Sequence, residues 1–252
     1  MKLSNKISLI AVAIILISTL VVMIKVKMEA NTYQKEMTIG NKSWVEIDVP
    51  LTAYTIIEAG KHFEVYWHKG NPNAKIRVEE NLKDYVKIIQ DGQRISIRMD
   101  SIQSYRTHEA IRIDLYSDTL TEIYLNNFVE FHMKDTLRLT QLMVSTENHS
   151  EGHLLLILDQ LELRMNDFSQ LKVMGKITNC NIQMDDHTEL KAKALETEFV
   201  NLNMQDFCEA RVHVAKKLIA ELSDHAKLVY SGAENLETQI QNREFSEASK
   251  SE

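Results

Sequence analysis

Acidic side chains return at a fixed place in the second half of this 252-residue chain. Asp185 and Asp186 stand together, with Asp167 and Asp206 one repeat to either side. Carboxylates so grouped could share a proton, hold a cation or cleave a glycosidic bond. His132 and His153, each two residues after a glutamate (Glu130 and Glu151), offer the donor types of a zinc site. Against a single catalytic centre, the acid recurs in nearly every copy of a repeat, so the needs of each copy explain it better. The corners also lack the Gly-Gly-x-Gly-x-Asp pattern of calcium-binding β-rolls. Cys180 lies six residues before its repeat corner and Cys208 two after its own, so they fall in different columns and carry no redox or metal motif. No serine nucleophile elbow, phosphate loop or dinucleotide fingerprint is present. The expectation is therefore no catalytic residue and no cofactor. His132, His153, Glu130 and Glu151 are the one candidate metal set.

The element that positions these residues is an eight-residue pattern repeated six times between Ile123 and Gly232. Its copies are NNFVEFHM, ENHSEGHL, NDFSQLKV, DDHTELKA, QDFCEARV and SDHAKLVY. They recur every ~20 residues, a solenoid spacing. Aligned on Asn127, Asn148, Asp167, Asp186, Asp206 and Asp224, positions two and four before the corner and two, four and six after it are mostly apolar or small. Period-two alternation on both sides of a polar corner predicts two short strands joined by a bend, not a helix. Such a unit buries its apolar face only by stacking on its neighbours, with strands ~4.8 Å apart. Asn and Asp suit the corner because they tolerate left-handed geometry. The next column, Phe128, His149, Phe168, His187, Phe207 and His225, is predicted to form an aromatic ladder. Outward columns place an acidic stripe (Glu130, Glu151, Gln170, Glu189, Glu209) beside a basic one (His132, His153, Lys172, Lys191, Arg211), which reads as a self-neutralising solvated face.

In chain order, residues 1–6 form a short tail. The uncharged apolar run 7–24, flanked by Lys2, Lys6, Lys25 and Lys27, is predicted to be a transmembrane signal anchor; a cleaved signal peptide is the alternative. Residues 25–43 read as a linker. From 44 to 118, short alternating runs broken by Lys69-Gly70-Asn71-Pro72-Asn73 and Gln90-Asp91-Gly92 predict an irregular β cap, with a brief helical turn at 79–85. Coils fill 119–235. The polar tail 236–252 lacks apolar periodicity and is expected to be mostly disordered, or at most a short covering helix. Net charge is −7, and no basic patch interleaves with aromatics, which argues against nucleic acid.

The run YTIIEAGKHFEVYWH, followed by ENLKDYVKIIQDGQRISIRM, resembles the start of the auto-transporter adhesin head GIN domain family. The coils closing with LVYSGAENLE resemble its repeat region, so the likeness covers residues 44–235. The resemblance implies an all-β domain built as a right-handed parallel β-helix, in a bacterial envelope protein of unassigned function. Family members carry Ser-Gly-rich corners; here only Ser231-Gly232 keeps that character.

The combined expectation is a non-enzymatic, membrane-anchored envelope protein facing the periplasm or cell exterior. Its solenoid would offer a rigid face to a surface glycan or protein. Two alternatives stand beside it: a polysaccharide-acting β-helix enzyme, and a structural or signalling accessory of the inner membrane.

Overall fold

A computed structural model describes residues 14–28, 37–102 and 104–251. Residues 14–28 are helical. Among the described residues no helix is long and apolar enough to cross a membrane, and residues 7–13 of the expected anchor lie outside them. The remainder is β, apart from a 3-10 turn at Glu80–Tyr85.

The first strands are β1 (Thr38–Ile39), β2 (Trp44–Pro50), β3 (Ile56–Gly60), β4 (Phe63–Lys69), β5 (Asn73–Glu79), β6 (Val86–Asp91), β7 (Arg94–Met99), β8 (Tyr105–Arg106) and β9 (Ile111–Ser117). The repeats supply β10 (Glu122–Asn126), β11 (Glu130–Met133), β12 (Leu137–Thr146), β13 (Glu151–Met165), β14 (Gln170–Met184), β15 (Glu189–Met204), β16 (Glu209–Leu222), β17 (Lys227–Gly232), β18 (Glu237–Asn242) and β19 (Glu247–Lys250). All but β1 and β8 belong to one continuous sheet wound into a β-solenoid.

The repeats pair in parallel, column on column. Leu163 faces Ile182, Ile182 faces Leu202, and Leu202 faces Ala220. These side chains, with Met165, Met184, Met204 and Leu222 two residues on, are buried in one core. Inside each corner runs a column of small residues: Val129, Ser150, Ser169, Thr188, Cys208 and Ala226, all buried. Only small groups fit there, and the polar ones bond along the axis. Thr146 Oγ1 donates to Ser169 Oγ at 3.0 Å, and Thr188 Oγ1 lies 3.1 Å from Cys208 Sγ. Both cysteines are free and buried, and burial pushes the Cys180 thiol up to about 12.

The cap differs in detail from the sequence expectation. Two further coils hide in it, threaded out of order: β3 and β4 stack under β10 and β11, and β7 and β9 stack under β3 and β4, all in parallel. The intervening chain leaves the stack and returns antiparallel, with β2 on β5, β5 on β9, and β6 on β7. Antiparallel strands close the end that a parallel stack would leave open. The linker's end is docked too: β1 pairs with β8.

The tail departs from the expected disorder. Its β18 pairs with β16 and its β19 with β17, adding one more coil. Ladder hydrogen bonds, the ring of Phe245 and the partly buried Leu236, Ile240 and Ala248 hold it. Its inward columns mix polar Thr238 and Asn242 with apolar Ile240 and Ala248, since the last coil has a neighbour on one side only.

Candidate binding surface

Each corner uses two consecutive left-handed residues. The pairs are Lys61/His62, Asn127/Phe128, Asn148/His149, Asp167/Phe168, Asp186/His187, Asp206/Phe207, Asp224/His225 and Glu244/Phe245, with φ between 49° and 70°. Left-handed geometry costs a side chain other than Gly about 1–2 kcal/mol per residue, less for Asn and Asp. Hydrogen bonds between corners offset part of this. The N–H of Phe168 donates to Asp186 O, and that of His187 to Asp206 O, each at 2.8 Å.

Bringing the corners into line also stacks the rings. His62, Phe128, His149, Phe168, His187, Phe207, His225 and Phe245 alternate without a break, with centroids 4.7–5.3 Å apart and planes within 20°. His62 and Phe245 are members the sequence pattern does not announce, since Lys61 and Glu244 stand where Asn or Asp is expected. The signal available was the ring itself, one repeat after His225. Ring faces are spent on one another, so this ridge shows edges to solvent except at its ends. Replacing Phe168 by alanine removes two ring contacts and should cost about 2 kcal/mol. Glycine at the same site relieves the left-handed strain, so Phe168→Gly should be about 1 kcal/mol more stable than Phe168→Ala. Denaturant unfolding checks the order; alanine equal to or better than glycine would contradict the strained-corner account.

The face after the corner carries paired charge. Glu130 lies opposite Glu151 and His132 opposite His153, as the column alignment requires. The two imidazoles meet edge to face at 4.9 Å, and His132 Nε2 is 3.8 Å from Glu130. Desolvation, then His153 and Lys134, lower the His132 pKa; desolvation, then Glu64 and Glu151, raise that of Glu130. Among the described residues, the three metal-donor groups that converge most tightly are not these but Asp185, Asp186 and Asp206, within 4.8 Å of one another. Partial desolvation and the carboxylates of Asp185, Asp224 and Asp186 push Asp206 upward, a consequence of stacking one acidic corner per coil. Asp167 joins the same ladder through the bond from His149 N–H to its carbonyl. Farther along the charged face, Lys191 pairs with Glu189 at 2.9 Å, and Arg211 bridges Glu189 and Glu209 at 3.6 Å each. Toward the cap, Arg112 clamps Asp114 through two 2.8 Å bonds and lies over the Tyr66 ring, which itself stacks on His132.

The face before the corner is chemically different, and the sequence columns drew no attention to it. From β14 it presents Asn179, Asn181 and Gln183; from β15, Phe199, Asn201 and Asn203. All are exposed. Grooves of about 430 Å³ at the Phe199 end and 370 Å³ at the Asp185 end run along these strands. A third, of about 480 Å³, continues toward the cap beside Tyr124 and Arg94. Under this face the interior is filled: the enclosed space among Leu163, Cys180 and Ile182 is about 10 Å³.

Crystal structures that share this fold include a putative adhesin from Bacteroides fragilis NCTC 9343 (14% identity, TM-score 0.76, covering 84% of this chain and 99% of that one) and a putative lipid binding protein from Parabacteroides distasonis ATCC 8503 (16% identity, TM-score 0.69, covering 86% and 100%). A putative adhesin from Parabacteroides merdae ATCC 43184 has 15% identity and a TM-score of 0.61, covering 86% and 100%. At such identities the likeness concerns architecture. No curated protein matches the chain. The family model described as "Putative auto-transporter adhesin, head GIN domain" matches residues 53–233, the whole stretch from the first coil to the Ser231-Gly232 corner, and the chain belongs to that family.

Proposed function

We propose that the chain is a non-enzymatic envelope protein, held at a membrane by residues 7–24, whose solenoid presents a rigid side face to a ligand outside the cytoplasm. The observation that carries this is the contrast between the two faces: one has its charges neutralised by neighbours, the other offers exposed amides along continuous grooves. A parallel stack is stiff and repeats its side chains at strand spacing, which suits recognition of an extended partner. The adhesin names of the family and of two of the related structures agree with this use. Anchoring is supported by the 18 uncharged, mostly apolar residues between flanking lysines, enough for roughly 27 Å of helix.

The full chain should sediment with membranes and resist alkaline extraction, while deletion of residues 7–24 should release it. Immobilised protein should retain envelope glycans or proteins without releasing reducing ends. Reducing-end release from a polysaccharide would favour the enzymatic alternative, and a fully extractable full-length chain would remove the anchor.

A further inference from the structure

We infer that the amide face of β14 and β15 is a binding site for an uncharged, linear polyhydroxylated chain, a neutral oligosaccharide, with Phe199 as its stacking platform. This rests on the proposed reading of the solenoid as a binding scaffold and names the site and ligand class.

The two strands run side by side for five residues without an ionisable outward side chain, from Asn179 to Gln183 and from Phe199 to Asn203. Five residues of strand span about 17 Å, long enough for a few linked sugar rings. Backbone donors and acceptors here are committed to neighbouring coils, so recognition falls to side chains. Each amide offers two donors and an acceptor, which matches a hydroxyl that both gives and receives a hydrogen bond. Few of these groups are used internally. Asn201 donates to Asn181 at 3.3 Å, and Asn179 reaches Asp159 O at 3.5 Å. Gln183 and Asn203 make no side-chain hydrogen bond among the described residues. A stabilising amide ladder would close on itself from coil to coil, and this one does not.

Charge points the same way. The cations that flank the strands are already held: Arg164 by Glu162 and Lys217 by Glu237, both at 2.6 Å, and Lys216, which reaches over one side of the Phe199 ring at 5.5 Å, by Glu198 at 2.7 Å. Asp185 stands at the far end of the groove. A sulfated or uronate-rich chain would meet no free cation and the carboxylates of Asp185 and of Glu221 opposite Asn203, so a neutral chain fits better.

Phe199 fixes one end. It is 39% exposed, although core positions to either side of it in β15 are closed. β15 has 16 residues against 15 in β14, and the pairing of β15 with β16 slips on both sides of Glu196 and Thr197. Bulges of this kind re-aim a side chain, and here they precede an outward ring at the mouth of the larger groove. An aromatic face beside hydrogen-bonding groups suits the apolar side of a sugar ring.

The test uses the full chain in detergent on an array of neutral oligosaccharides of glucose, galactose, mannose and xylose beside sulfated and uronate-containing ones. The strongest hit is then titrated calorimetrically against Phe199→Ala, the Asn181→Ala/Asn201→Ala pair, and Arg211→Ala on the opposite face, with thermal melts confirming that each folds. The expected result is a neutral hit whose affinity falls at least roughly tenfold in both groove variants and stays within about twofold in Arg211→Ala. Three results overturn the inference: no arrayed glycan bound, acidic glycans alone bound, or a hit that both groove variants keep. In the last two cases the solenoid remains a binding scaffold and only this site and ligand class fall.

Discussion

Replacing Gly175 with alanine should destabilise the solenoid by at least ~3 kcal/mol, seen as a fall in melting temperature of roughly 6–12 °C. Gly175 has a φ of +122°, a conformation that L side chains rarely adopt, and it pairs with Leu156 below and Leu195 above. A methyl group there would drive into the backbone carbonyl of Leu156, which has no flexible end to move aside. The two coils must part or the turn must change hand, and either breaks ladder hydrogen bonds in a stack whose stability comes from nearest-neighbour interfaces. Gly92→Ala is the control. Its φ is +57° but nothing stands within 4 Å of the added carbon, so it should cost only about 1 kcal/mol. Equal losses in the two variants would mean that the close approach of coils at Gly175 is not what the position requires.

Removal of the Glu79 carboxylate should cost about 3 kcal/mol as well, at the opposite end of the domain. Glu79 is fully buried beneath Gly40. It accepts from Lys42 N–H at 2.8 Å, His108 N–H at 3.2 Å and His108 Nδ1 at 2.8 Å. Asn81 holds the same segment through Asn41 N–H and Ile39 O. Together they clamp the point where the linker enters the fold. Burial alone would raise the Glu79 carboxyl, but the bonds from Lys42 and His108 outweigh it and hold its pKa below the usual value. A lowered folded-state pKa means that the stability is fully present above the unfolded value, about 4.3, and is lost as pH falls through the folded one. The parent should therefore lose stability on acidification below about pH 4.3, and Glu79→Gln should show a shallower loss while starting lower at neutral pH. The corner acids Asp206 and Glu244 act in the other direction, since their raised values favour the folded state as pH drops. The difference between parent and variant isolates Glu79. Parallel pH curves for the two would contradict the clamp.

How far the residues announced this structure depends on how strictly they repeat. The corner and ladder columns from Asn127 to His225 are legible because each coil faces the same environment, so the same residue types return. The coils at the ends are not. Lys61-His62 and Glu244-Phe245 keep the backbone shape and the ring but lose the Asn/Asp signature, and the last coil mixes polar with apolar inward residues because one side is open. Threading of β3, β4, β7 and β9 into the stack is invisible to a local pattern, since coil order there differs from chain order. The groove beside Phe199 is illegible for a related reason. Attention to columns that repeat favours the self-neutralised charged face, whereas the amides of β14 and β15 matter because they interrupt the charges of their neighbours. Glu79 and Gly175 are single, context-dependent positions, and nothing in their local sequence distinguishes them.

Disulfide trapping tests the stacking itself most directly. Asn181 and Asn201 lie opposite each other on adjacent parallel strands, at the ~4.8 Å strand spacing, within the reach of a disulfide. The double variant Asn181→Cys/Asn201→Cys should cross-link under mild oxidation, with mass spectrometry placing the bond between those two residues, while the buried native Cys180 and Cys208 stay reduced. A pair displaced by one residue, Asn181→Cys with Leu202→Cys, points to opposite faces of the sheet and should remain unlinked. Efficient linkage of the displaced pair, or none in the aligned one, would show that the coils do not stack column on column.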